Sequence, residues 1–376
     1  MSWKGQKNSG PNCCCCKDLY CNISFGGKVG WALVGVANNV STIETTPNTD
    51  SATSRCTADY RTKYLIGARQ VVGNNCELRT WDLAIENRTT RYTFANPLGI
   101  EPFVCGDWQS GRFYYTKDTV FTIGTPAGKT TRSVEIHRVD YDGTNDVTLH
   151  TESWVNDSTG TFGSLHSLMW EPTGNTLYFV LEKDVQYTSM PPHDVNIFAY
   201  IKRLSAEDGS GYATVVSLEE TSGASADSSI RGLGFSVAHD KLIWSQLQFH
   251  GVITATFDAD ADVYTADPDG SAAVSILNHS MVAATQLTQT FQNTRFSEKL
   301  DQIYFNNRTL ISGSTFENRV TRMDIDGGNN EVFMGDRQPN WSSSLRTGTS
   351  PQHLLACGRE NTGEAFEGAG HPMPVF

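Results

Sequence analysis

Apolar and polar positions alternate in short runs along most of this chain, and one phrase returns. An apolar strand ends in an aromatic pair and a polar residue, a second strand follows, then a turn rich in Asp, Gly and Asn, then a short β-branched strand. The clearest copy runs through 301–306, 319–324, 326–328 and 331–334. Others run through 241–245, 263–267, 269–270 and 274–277, and through 176–179, 197–204, 208–209 and 215–218. A further copy uses 112–116, 134–140, 142–143 and 147–150, and a degenerate one uses 63–66, 76–83 and 92–94. Their anchors, Tyr64, Phe113, Leu177, Leu242 and Ile303, recur roughly every 50–65 residues, enough for four short strands and their loops.

The two chain ends complement each other. Residues 353–356 look like the first half of a copy, centred on Leu354, with nothing after it. Residues 31–37 and 40–43 look like a second half with nothing before it. Joined, they make a sixth copy, and closing a ring in this way removes exposed sheet edges. The expected fold is therefore all-β: a six-bladed β-propeller over 20–360, its last blade closed by N-terminal strands from 31–46, with a Cys-rich arm over 1–19 and a tail over 361–376. Seven blades is the alternative. No segment between strands keeps helical spacing, which disfavours a parallel α/β fold.

The phrase "Ile-Tyr-Phe-Asn … Arg-Val-Thr-Arg-Met-Asp-Ile-Asp-Gly-Gly-Asn-Asn-Glu-Val" resembles the YWTD repeat of the LDL-receptor class B propellers. So does "Phe-Tyr-Tyr-Thr-Lys-Asp … Ile-His-Arg-Val-Asp-Tyr-Asp-Gly-Thr-Asn". The likeness covers about four of the copies by the repeat reading; Tyr-Trp-Thr-Asp itself is absent, and no growth-factor-like cysteine module follows. The resemblance implies a propeller and a binding role.

Composition narrows the function. With 376 residues, 38% apolar and only 19% charged, the chain suits one large strand-rich domain. The net charge of −12 and the lack of any Lys/Arg run argue against nucleic acid as a partner. No apolar stretch is long enough for a membrane helix, and the N-terminal residues do not read as a secretory signal. Either the protein stays where it is made or it leaves by another route, as virion proteins do by lysis; the expected location is extracellular or virion, with the cytoplasm left open.

Several residues are candidate sites. Asp258, Asp260 and Asp262 put carboxylates at alternate positions in what reads as a loop, a pattern that Ca2+ accepts. A solvated acidic loop is the competing reading. Cys13, Cys14, Cys15, Cys16 and Cys21 gather five of the nine cysteines in one arm, for metal, cross-linking or burial. Arg295 and Arg346 each sit eight residues before their anchors, where Cys56 and Cys105 also fall, and could grip an anion near a channel. Two connections, 183–196 and 246–262, read as long insertions standing side by side. They carry Tyr187, Met190, His193, Phe249, His250 and Phe257 as candidate partner-binding residues. Seven N-x-S/T sequons allow glycosylation only along a secretory route.

The nine histidines show no paired helix spacing, and nucleophile, phosphate-loop and dinucleotide motifs are absent. The expected function is a non-enzymatic structural or adhesion protein acting on other proteins, itself included. A receptor-like recognition module and a metal-dependent hydrolase with a channel site are the alternatives.

Overall fold

The computed structural model describes residues 19–25, 28–34, 40–47, 54–58, 64–71, 75–82, 87–96, 102–107, 110–124, 129–156, 161–186, 195–220, 228–250, 256–297, 301–313, 315–334 and 356–359. They form twenty-four strands in six four-stranded sheets. The sheet of β4 (Ser54–Ala58), β5 (Tyr64–Val71), β6 (Asn75–Asp82) and β7 (Asn87–Ala95) is an antiparallel meander. So is that of β8 (Val104–Asp107), β9 (Arg112–Gly124), β10 (Lys129–Asp140) and β11 (Val147–Asn156). The third holds β12 (Thr161–Glu171), β13 (Thr176–Gln186), β14 (Val195–Ser205) and β15 (Ala213–Glu220). The fourth holds β16 (Ser229–Ser236), β17 (Lys241–His250), β18 (Phe257–Ala266) and β19 (Val274–Ala284). The fifth holds β20 (Gln289–Ser297), β21 (Gln302–Ser312), β22 (Thr315–Met323) and β23 (Glu331–Met334).

The paired bulky residues explain how these sheets stack. Adjacent strand residues point to opposite faces, so each pair serves two interfaces. Tyr114 packs with Trp170 and Phe179 toward the β12–β15 sheet. Its neighbours Phe113 and Tyr115 pack with Leu78 and Phe94 toward β4–β7. Tyr178 joins Phe235 and Trp244 on the far face from Phe179. Ile243 joins Phe291, Phe296 and Phe305 on the far face from Trp244. Four buried clusters thus link five sheets in chain order. Each fully buried Phe or Leu contributes about 1.5–3 kcal/mol. The first strands also meet in sequence, β4 with β8, β8 with β12, β12 with β16 and β16 with β20. This serial, radial packing of antiparallel meanders is a β-propeller type of architecture.

The Asp-Gly turns do more than reverse the chain. In three of the four, the first residue's N–H donates to the carbonyl four residues on, as from Asp267 to Ser271 at 2.9 Å, and in the fourth Ser205 donates to Ser210, five residues on. The glycines Gly143, Gly209, Gly270 and Gly327 have φ between +84° and +87° or, for Gly209, +75°. Each sits against a main-chain carbonyl of the preceding sheet's outermost strand: Arg91, Leu149, Val215 and Ile276 in turn. Only glycine allows both the left-handed backbone and the close approach.

The sixth sheet joins the chain ends. Its order is β24 (Ala356–Arg359), β1 (Leu19–Phe25), β2 (Lys28–Val34) and β3 (Val40–Pro47). The expectation paired residues 31–46 directly with the strand around Leu354. Instead β1 intervenes, pairing antiparallel with β2 and parallel with β24, Cys21 opposite Ala356. The N-terminus therefore supplies three strands rather than two, and β1 starts where the arm was drawn to end. The pattern Leu-Tyr-Cys-Asn-Ile-Ser-Phe alternates as a strand should; its closeness to the cysteine run hid it.

Candidate functional site

Polar groups gather where the outer halves of neighbouring sheets meet. His137, on β10, is buried, and both ring nitrogens are engaged. Nδ1 lies 2.9 Å from Asp146 Oδ1 and Nε2 lies 2.7 Å from Glu135 Oε2. Asp146 also accepts from Tyr92 OH of the preceding sheet at 2.7 Å and from Tyr115 OH at 3.0 Å. Tyr115 stacks on His137 with centroids 5.1 Å apart. Burial pushes the Tyr92 hydroxyl up to about 12, helped by its bond to Asp146. Burial works to raise Asp146, but the hydrogen bonds from Tyr92 and His137 outweigh it and hold the carboxyl below its ordinary value.

A second cluster sits one sheet further on. His150 Nε2 lies 3.0 Å from Glu152 Oε1, Tyr212 OH donates to the same oxygen, and the two rings stack at 4.3 Å. Lys202 Nζ lies 4.5 Å from the Tyr200 ring centroid. Glu207, in the β14–β15 turn, bonds both Arg112 at 2.5 Å and Arg138 at 2.9 Å across the sheet boundary. In these clusters the polar atoms are turned on one another, and their chemical work is to join neighbouring sheets. Among the described residues no group of three His, Cys, Asp or Glu side chains is arranged to hold a metal ion.

The aspartate series corrects the sequence reading. Asp258, Asp260 and Asp262 lie within β18, not in a loop. The alternating Ala259 and Ala261 are buried against the core, which puts the carboxylates on the opposite face. There Asp262 accepts from Ser275 at 2.7 Å and Asn278 at 2.8 Å, Asp260 bonds His250 Nε2 at 2.7 Å and Ser280, and Asp258 accepts the Ala283 N–H at 2.7 Å. The series is a ladder between β18 and β19.

The described ends of the expected long insertions continue strands. Residues 183–186 and 195–196 belong to β13 and β14, and 246–250 and 257–262 to β17 and β18. Phe249 is corrected from a partner-binding anchor to a core residue: it is 6% exposed and packs on Phe257 at 5.2 Å. Phe257 is half-buried beside it, while His250 reaches the surface. Tyr187, Met190 and His193 lie outside the described residues, as do Arg346 and Cys13 to Cys16. Cys21 falls in β1.

Arg295 occupies the first strand of its sheet as expected, but it is buried and turned into protein. Its Nη1 donates to the carbonyls of Leu233, on the neighbouring first strand, and of Thr294 at 2.6 Å. Burial lowers its pKa. Gly234 makes room for this crossing, since a Cβ there would come within 3.1 Å of the Arg295 Cα. The site joins two strands rather than gripping a free anion. Cys105, at the equivalent place on β8, is likewise buried.

What faces outward is the rim formed by the outermost strands. Val147, Val274 and Val332 follow the Asp-Gly turns and are exposed, and Val282 on β19 is 77% exposed. Nothing in the sequence marks them, since each looks like an ordinary strand residue.

No family model and no curated protein matches this chain. Among solved structures, it is similar to a putative TolB from Agrobacterium tumefaciens, at 12% identity and a TM-score of 0.46 over 89% of this chain and 95% of that one. TolB from Acinetobacter baumannii aligns at 9% identity and a TM-score of 0.49, over 86% of this chain and 64% of that one. An oligogalacturonate lyase in complex with manganese aligns at 11% identity and a TM-score of 0.46, over 92% and 82%.

Proposed function

We propose that this chain is a six-bladed β-propeller, closed on itself by its N-terminal strands, that works without catalysis as a structural subunit. It acts through protein–protein contacts in an extracellular or virion assembly. The observation that carries this reading is the contrast between inside and rim. The inter-sheet histidines, carboxylates and Arg295 are spent on holding sheets together, whereas the outermost strands present apolar side chains such as Val274, at 57% exposure, to solvent. Exposed apolar positions on sheet rims suit protein partners. The low Lys/Arg content supports a protein partner over nucleic acid.

The test is the native mass of the purified chain, alone and within particles or matrix from its source. The expected result is incorporation into a multisubunit assembly. A chain that stays monomeric, enters no assembly and turns over a small substrate would overturn the reading.

A further inference from the structure

His137 is held differently from the other histidines that meet a carboxylate. His150, His239 and His250 each touch one, through Nε2, and the last two are exposed. His137 is 4% exposed and touches two, Asp146 Oδ1 at 2.9 Å from Nδ1 and Glu135 Oε2 at 2.7 Å from Nε2. A neutral imidazole carries one N–H and a protonated one carries two, whereas an ionised carboxylate only accepts. Both contacts are hydrogen bonds only while the ring holds two protons. With one proton, a nitrogen lone pair faces a carboxylate oxygen with no room for water between them, and that contact turns repulsive.

The groups around the ring do not replace the missing proton. Tyr115 on β9, stacked on the ring, and Tyr92 on β7 both give their hydroxyl protons to Asp146. Thr148 on β11 stands 3.5 Å from Nε2, at the outer limit of a hydrogen bond. Lys117 on β9 lies opposite Glu135 in the strand register rather than opposite the ring. Asp146 is also where the preceding sheet attaches, through Tyr92.

We propose that His137 is a proton-operated clamp between the β4–β7 and β8–β11 sheets. Protonated, it ties Glu135 to Asp146 and so fixes the carboxylate that Tyr92 grips. Deprotonated, it releases one carboxylate, and the boundary between the two sheets loosens. The clamp's contribution is therefore present at the lower pH and lost as pH rises.

The experiment compares the full chain with two variants by thermal unfolding at about pH 5.5 and about pH 8.5, on either side of the ordinary imidazole value. The melting-temperature gap between the parent and His137→Gln should be wider at the lower pH by about 2 °C or more. Glu135→Gln supplies an amide that can donate to a bare Nε2, so a neutral ring is satisfied on both sides. Its melting temperature should fall less than the parent's between the two pH values. Hydrogen exchange on residues 87–95, corrected for the intrinsic effect of pH, should speed up at the higher pH in the parent and less so in Glu135→Gln. His239→Gln, whose pair with Asp301 is exposed, should keep the parent's pH profile. A His137→Gln gap that is equal at both pH values, as simple loss of packing would give, overturns the inference. So does a Glu135→Gln profile identical to the parent's, which decides alone if His137→Gln does not fold.

Discussion

Gly270, in the turn between β18 and β19, lies directly against the carbonyl oxygen of Val215 on the preceding sheet's outermost strand, with φ at +86°. Gly209 stands in the same relation to Leu149 and Gly327 to Ile276. The Asp-Gly turn is thus a docking point between sheets as well as a reversal. Gly270→Ala would meet both a strained backbone and an overlap with Val215. The expected cost is about 2 kcal/mol or more, since left-handed conformations of ordinary residues alone cost about 1–3 kcal/mol. Gly211, also at positive φ but with open space around it, supplies the control. Urea unfolding should show a larger loss for Gly270→Ala than for Gly211→Ala.

The His137 cluster predicts how stability changes with pH. Asp146 has its folded pKa lowered, so it contributes stability that is present above the ordinary carboxylate range and lost as pH falls through the folded value. Asp146→Asn should flatten the acid limb of a stability–pH curve. At the other end, Tyr92, Tyr114 and Tyr178 are raised to about 12, burial being the largest cause in each. Their contribution is complete below pH of about 10, the ordinary tyrosine value, and is lost as pH rises toward the folded value. Absorbance titration of phenolate should show late ionisation in the native protein, and Tyr92→Phe should remove one such group.

Phe249→Ser tests the placement of that side chain. A buried Phe replaced by a small polar residue should cost about 3 kcal/mol or more. A substitution with no effect on chemical unfolding would return Phe249 to the surface and revive it as a partner-binding residue.

The aspartate ladder makes a contrasting claim about calcium. With Asp258, Asp260 and Asp262 bonded along β18 and β19, the parent protein should melt at the same temperature with and without millimolar Ca2+. Replacing all three by Asn should lower that temperature, since each loses a charge-assisted bond of about 1.5–3 kcal/mol at most, less at the exposed end. A marked rise in melting temperature with Ca2+ that the triple variant lacks would establish a cation site instead.

The residues that announced themselves in the sequence were those whose role is set by local geometry. Adjacent bulky pairs such as Tyr178 and Phe179 had to face opposite ways, and Asp269-Gly270 had to turn. Strand lengths were harder to read. The Asp-Ala alternation at 258–262 satisfies both an acidic loop and a strand with small residues inward, and only packing against Phe291 and its neighbours decides for the strand. The inter-sheet clusters were not legible at all. Tyr92 and Asp146 are 54 residues apart and meet because two outer strand regions are brought together by the stacking of their sheets. The spacing of Arg295 from Ile303 indicates its strand, yet its partner carbonyl at Leu233 depends on the close crossing at Gly234.

We propose above that the chain ends close one ring; β1, β2 and β3 complete the sheet that holds β24. Removing residues 1–47 would take away three of that sheet's four strands and leave β24 without its pairing partner. Thermal unfolding of the truncated and full-length chains, followed by circular dichroism and calorimetry, tests this most directly. The account predicts that the truncated chain melts far lower, with the five remaining sheets losing cooperativity together. A truncated chain that melts at the full-length temperature, in a single transition of undiminished sharpness, would contradict it.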